Sequence, residues 1–370
     1  MTGHDRSDTR RAFLDQAGWG DATATPVAGD ASTRLYERLT RDGRTAILMD
    51  APPGPDGPPI EGGKSYSAIV HLAEDMCPFA AIARHLTAHG FSAPELYALD
   101  LDQGFILLED LGDGVFAQRI AAGDSEETLY GEAVDVLAAL HALPVPGPLP
   151  CGDAGATHTV PSFDDLAMLT EARLLPAWYA RLATGRDLDA DAQAAFDAAW
   201  HAVFPALSDM PPALVLRDYH SPNLLAIEGR SGLARIGLID FQDALIAPGA
   251  YDVVSLLQDA RRTIVPDLEA RLLTRYEAAR TAQHTGFDAE AFRAAYAIMG
   301  AQRNTKIIGI FARLLLRDGK PHYLAHIPRL ADYLARDLAH PALAPVARWY
   351  NAHMPLDIIR TEINPDSVTR

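Results

Sequence analysis

Three polar residues near the middle of the chain have types and spacing that suit chemistry on phosphate groups. Asp218 and Asn223 are five positions apart in a loop between two apolar runs, and Asp240 ends a further apolar run. A carboxylate can orient a hydroxyl group and accept its proton, and carboxylate and amide oxygens are ligands that Mg²⁺ prefers. In phosphoryl transfer a protein does little more than this positioning. The pattern therefore predicts Asp218 as the catalytic residue and Asn223 and Asp240 as metal ligands.

Asp243 follows Asp240 after two residues and is predicted as an additional metal ligand or as a group that supports one. Each of these residues alone has a structural explanation, because Asp and Asn are common in turns and at strand ends. Their order and strand context together favour the catalytic interpretation.

Length and charge limit the classes of protein that the chain can represent. With 370 residues it is long enough for two lobes, each with its own core. Its 48% hydrophobic and 22% charged residues are typical of a soluble globular protein. A net charge of -17 would repel a nucleic-acid backbone, so we expect no nucleic-acid partner. A nucleotide site in such a chain requires magnesium and a few Arg or Lys residues.

The N-terminal segment is polar, and no stretch approaches the roughly 18 uncharged apolar residues of a membrane span. We therefore expect no secretory signal, no membrane partner and a cytoplasmic location. Only two cysteines occur, Cys77 and Cys151. They are too few and too isolated to predict a disulfide framework or a zinc site.

The first part of the chain predicts a small antiparallel sheet with one helix on it. The Asp42–Gly43 pair favours a tight hairpin turn between two alternating runs. Residues 51–63 are rich in Pro and Gly, so that neither helix nor strand is expected to persist there. The predicted elements are strands over 34–40, 44–50, 95–101 and 105–109 and helices over 1–20 and 78–89.

From residue 125 onward, apolar residues recur at spacings of three and four, which predicts helices. The fold class is therefore α+β, with a small antiparallel-sheet N-lobe over 1–111 and a mostly helical C-lobe over 112–370. Short strands are predicted around the candidate catalytic residues. The predicted elements are helices over 163–182, 189–205, 251–283, 288–317 and 328–337 and strands over 213–217, 224–228 and 234–239.

The segment from Asp218 to Asn223, followed by Asp240, resembles the catalytic loop and metal-binding motif of the aminoglycoside phosphotransferase and choline kinase superfamily. That superfamily shares the bilobal protein-kinase-like fold. With residues 29–34, 48–53 and 107–112, the chain looks like the bacterial N-acetylmuramate/N-acetylglucosamine anomeric kinases of cell-wall recycling. The resemblance covers nearly the whole chain. It implies ATP and Mg²⁺ as cofactors and an amino sugar phosphorylated at its C1 hydroxyl, and we expect a monomer.

The same resemblance implies two nucleotide-binding segments. The backbone from Glu109 to Leu111 would form the hinge that binds adenine. Considered without the family, this segment is an ordinary strand exit, and residues 29–34 are a plain hairpin turn. The turn over the ATP phosphates would be formed by Gly29, Ser32, Thr33 and Arg34.

The chain departs from the wider superfamily at one ion pair. Met49 lies where the third strand normally supplies a Lys to the phosphates, and the helix predicted over 78–89 has no acidic residue to pair with it. Both halves of the pair are therefore missing. Arg34 or Lys64 is the predicted source of the replacement charge.

An acceptor pocket is expected to face Asp218 and to combine polar side chains with an aromatic face. Cations between Gln302 and Lys306 would suit a carboxylate and would repel a polycationic aminoglycoside. Asp252 is predicted to cap the next helix and to brace the catalytic loop. The candidate substrate-binding residues are His220, Glu171, Arg173, Gln258, Arg303 and Asn304.

Two other functions remain open from the sequence. The reaction can stay the same with an aminoglycoside, choline or another alcohol as acceptor. Alternatively, loss of the Lys and Glu pair favours a nucleotide-binding pseudokinase, although the intact set of Asp218, Asn223 and Asp240 disfavours it.

Overall fold

The computed structural model describes residues 3–27, 34–52, 54, 57–152 and 155–363. Gly29, Ser32 and Thr33, which were predicted to bind the nucleotide phosphates, lie outside these ranges. Among the described helices, none is long and apolar enough to cross a membrane.

An antiparallel five-stranded sheet forms the first part of the chain, with strand order β1-β2-β3-β7-β6. Asp42 and Gly43 both have positive φ, 50° and 73°, as the predicted tight turn requires. The four predicted strands are confirmed, and the prediction missed the first one. In chain order the elements are α1 (Gly3–Gln16), β1 (Thr23–Val27), β2 (Leu35–Arg41), β3 (Arg44–Asp50), β4 (Pro59–Glu61), β5 (Lys64–Ser65), α2 (Tyr66–Ile69), α3 (Cys77–Ala88), β6 (Leu96–Asp100) and β7 (Phe105–Glu109).

The predicted loop over 51–63 is wrong at its end, where β4 pairs with β5 in a small hairpin. Gly62 and Gly63 form its turn with φ of 55° and 76°, which only glycine adopts readily. Pro59 is tolerated because it lies at the first position of a two-stranded edge.

The two cysteines, judged too few and too isolated to predict a disulfide framework, form one disulfide, Cys77–Cys151. Cys77 begins α3, and a short hairpin that packs against this helix carries Cys151. The two Cα atoms are 5.0 Å apart although 74 positions separate them in the sequence. Sequence spacing therefore hid the proximity that the fold creates.

The rest of the chain is mostly helical and encloses one large core that also reaches α3 and the sheet. The fold-class prediction is confirmed. The elements are α4 (Phe116–Ala121), α5 (Glu126–Leu140), β8 (Leu149–Pro150), β9 (Thr157–His158), α6 (Asp165–Ala172), α7 (Ala180–Thr184), α8 (Ala190–His201), β10 (Pro212–Val215), β11 (Leu224–Ala226), β12 (Ile236–Leu238), β13 (Leu245–Pro248), α9 (Ala250–Leu257), α10 (Pro266–Gln283), α11 (Ala289–Asp318), α12 (Ile327–Leu338), α13 (Ala344–His353) and α14 (Leu356–Arg360).

Two predicted helices are interrupted in the structure. The helix predicted over 251–283 is two helices, α9 and α10, because the chain leaves helical geometry at Gln258 and restarts at Pro266, which lacks a backbone donor. The helix predicted over 163–182 contains a π-helical turn at Leu175–Tyr179, which includes Pro176. The break after α9 places Asp259 in a loop beside the candidate catalytic residues.

We predict that the disulfide contributes to stability. Reduction of the Cys77–Cys151 bond should lower the free energy of unfolding by roughly 2–4 kcal/mol, because the crosslink restricts the unfolded chain. The measurement is the melting temperature with and without a thiol reductant. The double variant Cys77→Ser, Cys151→Ser should have the melting temperature of the reduced protein, and the reductant should not change it. An unchanged melting temperature after complete reduction, verified by thiol titration, would contradict the prediction.

Candidate active site

The loop after β10 is held by one buried carboxylate. Asp252, in the first turn of α9, accepts hydrogen bonds from the backbone amides of Leu216 (2.6 Å) and Arg217 (2.9 Å). Arg217 has a φ of 69°, a left-handed conformation that non-glycine residues adopt at some cost. The predicted brace is confirmed, whereas the predicted helix cap is wrong because Gly249 occupies the cap position.

Asn223 joins the two parts of the predicted catalytic set. Its Nδ2 donates to the backbone oxygen of Asp218 (3.0 Å) and to Oδ2 of Asp240 (3.2 Å). These bonds use only the amide nitrogen, so the amide oxygen remains available as a ligand. Pairing of β11 with β12 produces this proximity, since the Ile239 amide donates to the Asn223 carbonyl.

Asp240 directly follows the β12 region and has a φ of 61°. Strained backbone of this kind persists where the surroundings determine it, and it is frequent at functional sites. Here the next residue, Phe241, is fully buried and stacks on Phe79 of α3, with ring centroids 4.9 Å apart. Packing of one aromatic residue thus fixes the direction of the carboxylate.

Asp243 lies close to Asp240 but already has hydrogen-bond partners on both carboxylate oxygens. Oδ1 accepts from the Ala73 amide (2.6 Å) and Oδ2 from Nε2 of Gln242 (3.1 Å). The same Gln242 nitrogen donates to Oδ1 of Asp240 (3.1 Å). Asp243 therefore orients the segment that carries Asp240.

The cation nearest to Asp240 in the sheet part is Arg34, whose Nη1 is 3.2 Å from Oδ1 of Asp240. Met49, at the position of the absent Lys, is fully buried in the core. Lys64 is exposed in the β4–β5 hairpin. Of the two predicted replacement charges, Arg34 is the one that the fold brings to the carboxylate.

The oxygen donors fit magnesium. Asn223 offers an amide oxygen and Asp240 a carboxylate, both hard ligands. Within the described part of the chain, no group of three or more His, Cys, Asp or Glu residues could hold a metal by itself. Magnesium in nucleotide sites is commonly bound by only one or two carboxylates together with substrate phosphates, so the small donor set suits it.

The surroundings favour an ionised Asp218. Burial opposes ionisation, but the nearby His220, Lys306 and Arg303 outweigh it and hold the pKa of Asp218 below its usual range. The carboxylate is half-buried, so it remains reachable from the cleft. At neutral pH it can accept a hydrogen bond from a hydroxyl group.

The predicted hinge lies at the end of β7. The Glu109 carboxylate pairs with Arg230 from the turn after β11, which ties the sheet to the helical part. Leu111 packs beside Gly237, where a Cβ would come within 3.2 Å of the leucine Cδ1. The segment is thus held against β12, the strand that leads to Asp240.

Glu171 lies beneath the catalytic loop. It is 2% exposed and accepts from Arg217 and, at 3.2 Å, from Nζ of Lys306. Gln302 donates to its other oxygen at 3.1 Å. The structure therefore places this predicted substrate residue inside a buried network of charges behind Asp218.

Two further predicted substrate residues, Gln258 and Asn304, are bonded to each other and to Asp337. Nδ2 of Asn304 donates to Gln258 (2.6 Å) and to Asp337 (3.1 Å), and Nε2 of Gln258 donates to Asp337 (2.8 Å). All three side chains are buried. Burial raises the pKa of Asp337 to about 8, although these two hydrogen bonds oppose the shift.

Of the remaining candidates, His220 lies beside Asp218, and its backbone amide donates to the Asp218 carbonyl (3.0 Å). Arg303 is buried on α11, one turn before Lys306. Arg173 lies apart from them and pairs with Asp197 (2.8 Å) and Glu61 (3.0 Å) near the protein surface.

Two residues with clear roles in this region were missed from the sequence. Arg217 is a charged residue at the end of an apolar strand directly before Asp218, which was an available signal. Asp337 lies on the buried face of α12, three residues after Leu334 and seven after Leu330, so its place in the apolar periodicity was also an available signal.

The sheet-and-helix fold and the loop in which Asn223 bonds to both Asp218 and Asp240 are those expected of an enzyme that transfers phosphoryl groups. The chain belongs to the phosphotransferase enzyme family, whose sequence pattern matches residues 23–293. It is 41% identical to an N-acetylmuramate/N-acetylglucosamine kinase of Caulobacter vibrioides, an alignment that covers 96% of this chain and 99% of that protein. A Pseudomonas putida protein of the same name is 36% identical over 87% of this chain and 86% of its own length.

Solved structures agree on the fold. Choline kinase LicA from Streptococcus pneumoniae has a TM-score of 0.56 at 12% identity and covers 92% of this chain and 99% of its own. The GDP complex of aminoglycoside 2′-phosphotransferase-IIIa has a TM-score of 0.56 at 14% identity, with 90% and 99% covered.

The charge network behind Asp218 gives a stability prediction. Glu171→Gln should lower the free energy of unfolding by about 3–5 kcal/mol, because it leaves Arg217 and Lys306 buried without a carboxylate. Urea unfolding measures the change. The matched control is Glu228→Gln, where the carboxylate is 84% exposed in its pair with Arg119 and should contribute about 1 kcal/mol or less. Equal urea midpoints for Glu171→Gln and Glu228→Gln would show that the Glu171 network does not stabilise the fold.

The pKa of Asp337 gives a pH prediction. Between pH about 4, where the unfolded carboxyl titrates, and about 8, the folded protein keeps a proton that the unfolded chain has lost. Stability should therefore fall as pH rises across this window, by up to about 1.4 kcal/mol per unit, and level off above it. In Asp337→Asn this contribution is absent.

The melting temperature of Asp337→Asn relative to wild type should accordingly increase from pH 5 to pH 8. Glu269 and Arg336 also act on the pKa of Asp337, in opposite directions. Asp332→Asn on the same helix, at an exposed carboxylate, is the control. A difference between Asp337→Asn and wild type that is constant with pH would contradict the prediction.

Proposed function

We propose that this protein is an ATP-dependent kinase that phosphorylates the C1 hydroxyl of N-acetylmuramate and N-acetylglucosamine in cell-wall recycling. The reaction is supported above all by one observation, the bridging of the Asp218 loop and Asp240 by Asn223. The choice of sugar is supported by relatives of that name along nearly the whole chain.

In the proposed mechanism the ionised Asp218 accepts a hydrogen bond from the sugar C1 hydroxyl and orients its oxygen. That oxygen forms a bond to the γ-phosphorus of ATP while the bond to the bridging oxygen of ADP breaks, and the hydroxyl proton moves to Asp218. Asn223 and Asp240 would hold Mg²⁺, which neutralises charge on the phosphates when bound. Asp243 keeps Asp240 in position.

We propose that the protein has two lobes. Residues 1–111 would contain the nucleotide-binding sheet and the hinge, and residues 112–370 the catalytic loop and the acceptor site. The 29–34 turn, with Gly29, Ser32, Thr33 and Arg34, would contact the phosphates, and the Glu109–Leu111 backbone would receive adenine. The Arg34 guanidinium already pairs with Asp240 and would pair with a phosphate when the nucleotide binds. Because the enzyme would use ATP, we propose that it acts in the cytoplasm. We also propose that it is a monomer.

The charges around Asp218 favour an amino sugar over an aminoglycoside. Against the effect of burial, the charges of the buried Lys306 and Arg303 lower the pKa of Asp218, so cations lie near this carboxylate. An acceptor with several ammonium groups would be repelled there. A neutral or acidic sugar would not.

Release of ADP in the presence of ATP and Mg²⁺, with N-acetylmuramate, N-acetylglucosamine or kanamycin as acceptor, tests the proposal. We expect turnover of both amino sugars, with an acid-labile product as an anomeric phosphate requires. Asp218→Asn should reduce kcat by about 100- to 10,000-fold, because it cannot take the proton. Asp135→Asn, on the surface, should behave as wild type.

Turnover of kanamycin alone would replace the proposal with a resistance phosphotransferase. Nucleotide binding without turnover of any acceptor would indicate a pseudokinase.

A further inference from the structure

Arg303 is a buried cation without a partner. It lies in α11 and is 3% exposed, and its Nε and Nη1 have no hydrogen-bond partner in the described structure. Nor does any described carboxylate pair with it. A buried guanidinium normally requires a counter-charge, because desolvation costs several kcal/mol.

The other buried cations nearby do not share this feature. Lys306, one turn further along α11, is 3.2 Å from Glu171 and donates to Tyr251 at 2.8 Å. Arg217 pairs with Glu171 and donates to the carbonyl of Val70 at 3.0 Å. The fold thus provides a carboxylate for Arg217 and Lys306, whereas no described carboxylate forms an ion pair with Arg303.

Arg303 lies on α11 beside two residues that lead to the Asp218 loop: Lys306 bonds to Glu171, the partner of Arg217, and Asn304 bonds to Gln258, which precedes Asp259. Beyond the effect of burial, the Arg303 charge lowers the pKa of Asp218, of His220 and of Asp259. Asp259 is occupied, because it accepts from the Ser221 amide (3.2 Å) and hydroxyl (2.5 Å). His220, like Arg303, has a buried nitrogen without a partner, Nδ1. Arg303 and His220 therefore both have unpaired buried nitrogens near the Asp218 loop.

An oxyanion is the ligand that satisfies these atoms. Guanidinium and carboxylate groups match in charge and in planar geometry and often form two parallel hydrogen bonds. Two oxyanions can reach this space: a carboxylate on the acceptor, or the phosphoryl group in transfer. N-acetylmuramate carries a carboxylate on the lactyl group at C3, separated from the reactive C1 by one ring carbon, and N-acetylglucosamine lacks it.

We propose that Arg303 binds the acceptor carboxylate and sets the preference for N-acetylmuramate over neutral sugars. This inference rests on the proposed function. The phosphoryl alternative is less favoured because Asn223, Asp240 and Arg34 already assemble charge on the nucleotide side of Asp218.

The test compares kcat/KM for three acceptors: N-acetylmuramate, its carboxamide, in which only the charge is removed, and N-acetylglucosamine. The wild type should prefer the acid to the amide by about 10- to 100-fold, the range expected for a charged hydrogen-bonded pair. In Arg303→Met this preference should fall to near one. Arg303→Lys should retain an intermediate preference, because it keeps the charge but loses the planar geometry.

Arg317→Met, an exposed arginine at the end of the same helix, is the matched control and should keep both the activity and the preference of the wild type. If Arg303→Met reduces turnover of all three acceptors by the same factor, Arg303 acts on the phosphoryl group and the inference is overturned.

If Arg303→Met does not fold, the test is made with the wild type alone. Equal kcat/KM for N-acetylmuramate and its carboxamide would then overturn the inference. Absence of turnover with every sugar is a different result, in which the proposed function fails and this inference with it.

Discussion

The hydrogen bonds from two backbone amides to Asp252 are the constraint on which the site depends. A fully buried carboxylate that accepts from Leu216 and Arg217 fixes the chain as it leaves β10 and allows the left-handed turn at Arg217. The direction of the Asp218 carboxylate and the position of Asn223 follow from this turn. Burial makes the constraint strong, because an amide or carboxylate released from it would have no water to replace its partner.

The two sides of the site differ in whether their polar groups are hydrogen-bonded. On one side, hydrogen bonds of 3.1–3.2 Å join Asn223, Asp240, Gln242 and Asp243. On the other side, His220 and Arg303 have buried nitrogens without partners. This difference matches the needs of the proposed reaction, in which metal ligands would be oriented in advance and the polar groups that bind the acceptor would gain their partners from the substrate.

Most of the fold and the centre of the site could be predicted from the sequence, because their signals are local. The Asp42–Gly43 turn, the apolar strands before Asp218 and Asp240, and the helical periodicity after residue 125 all depend on near neighbours in the chain. The Cys77–Cys151 pair could not be predicted in this way, because it depends on a hairpin that packs on α3.

The acceptor candidates illustrate the same limit. Arg303, Asn304 and Lys306 look alike in sequence, as polar residues in an apolar helix. Only the partners supplied by other helices separate them: Asp337 for Asn304, Glu171 for Lys306, and none among the described residues for Arg303. Local pattern shows that a side chain is unusual, whereas its role depends on tertiary contacts.

The attachment of α3 has a mechanical consequence. Besides its core packing, this helix and its preceding segment are attached to the rest of the protein by the Phe79–Phe241 stack, the bond from the Ala73 amide to Asp243, and the disulfide at Cys77. Separated attachment points oppose rotation of α3 relative to the segment that carries Asp240 and Asp243. Strand β2, in contrast, contacts the segment after β7 through ion pairs of Arg38 with Asp110 and Asp113. Partly exposed ion pairs exchange more easily than packed rings, so this link yields more readily than the attachment of α3.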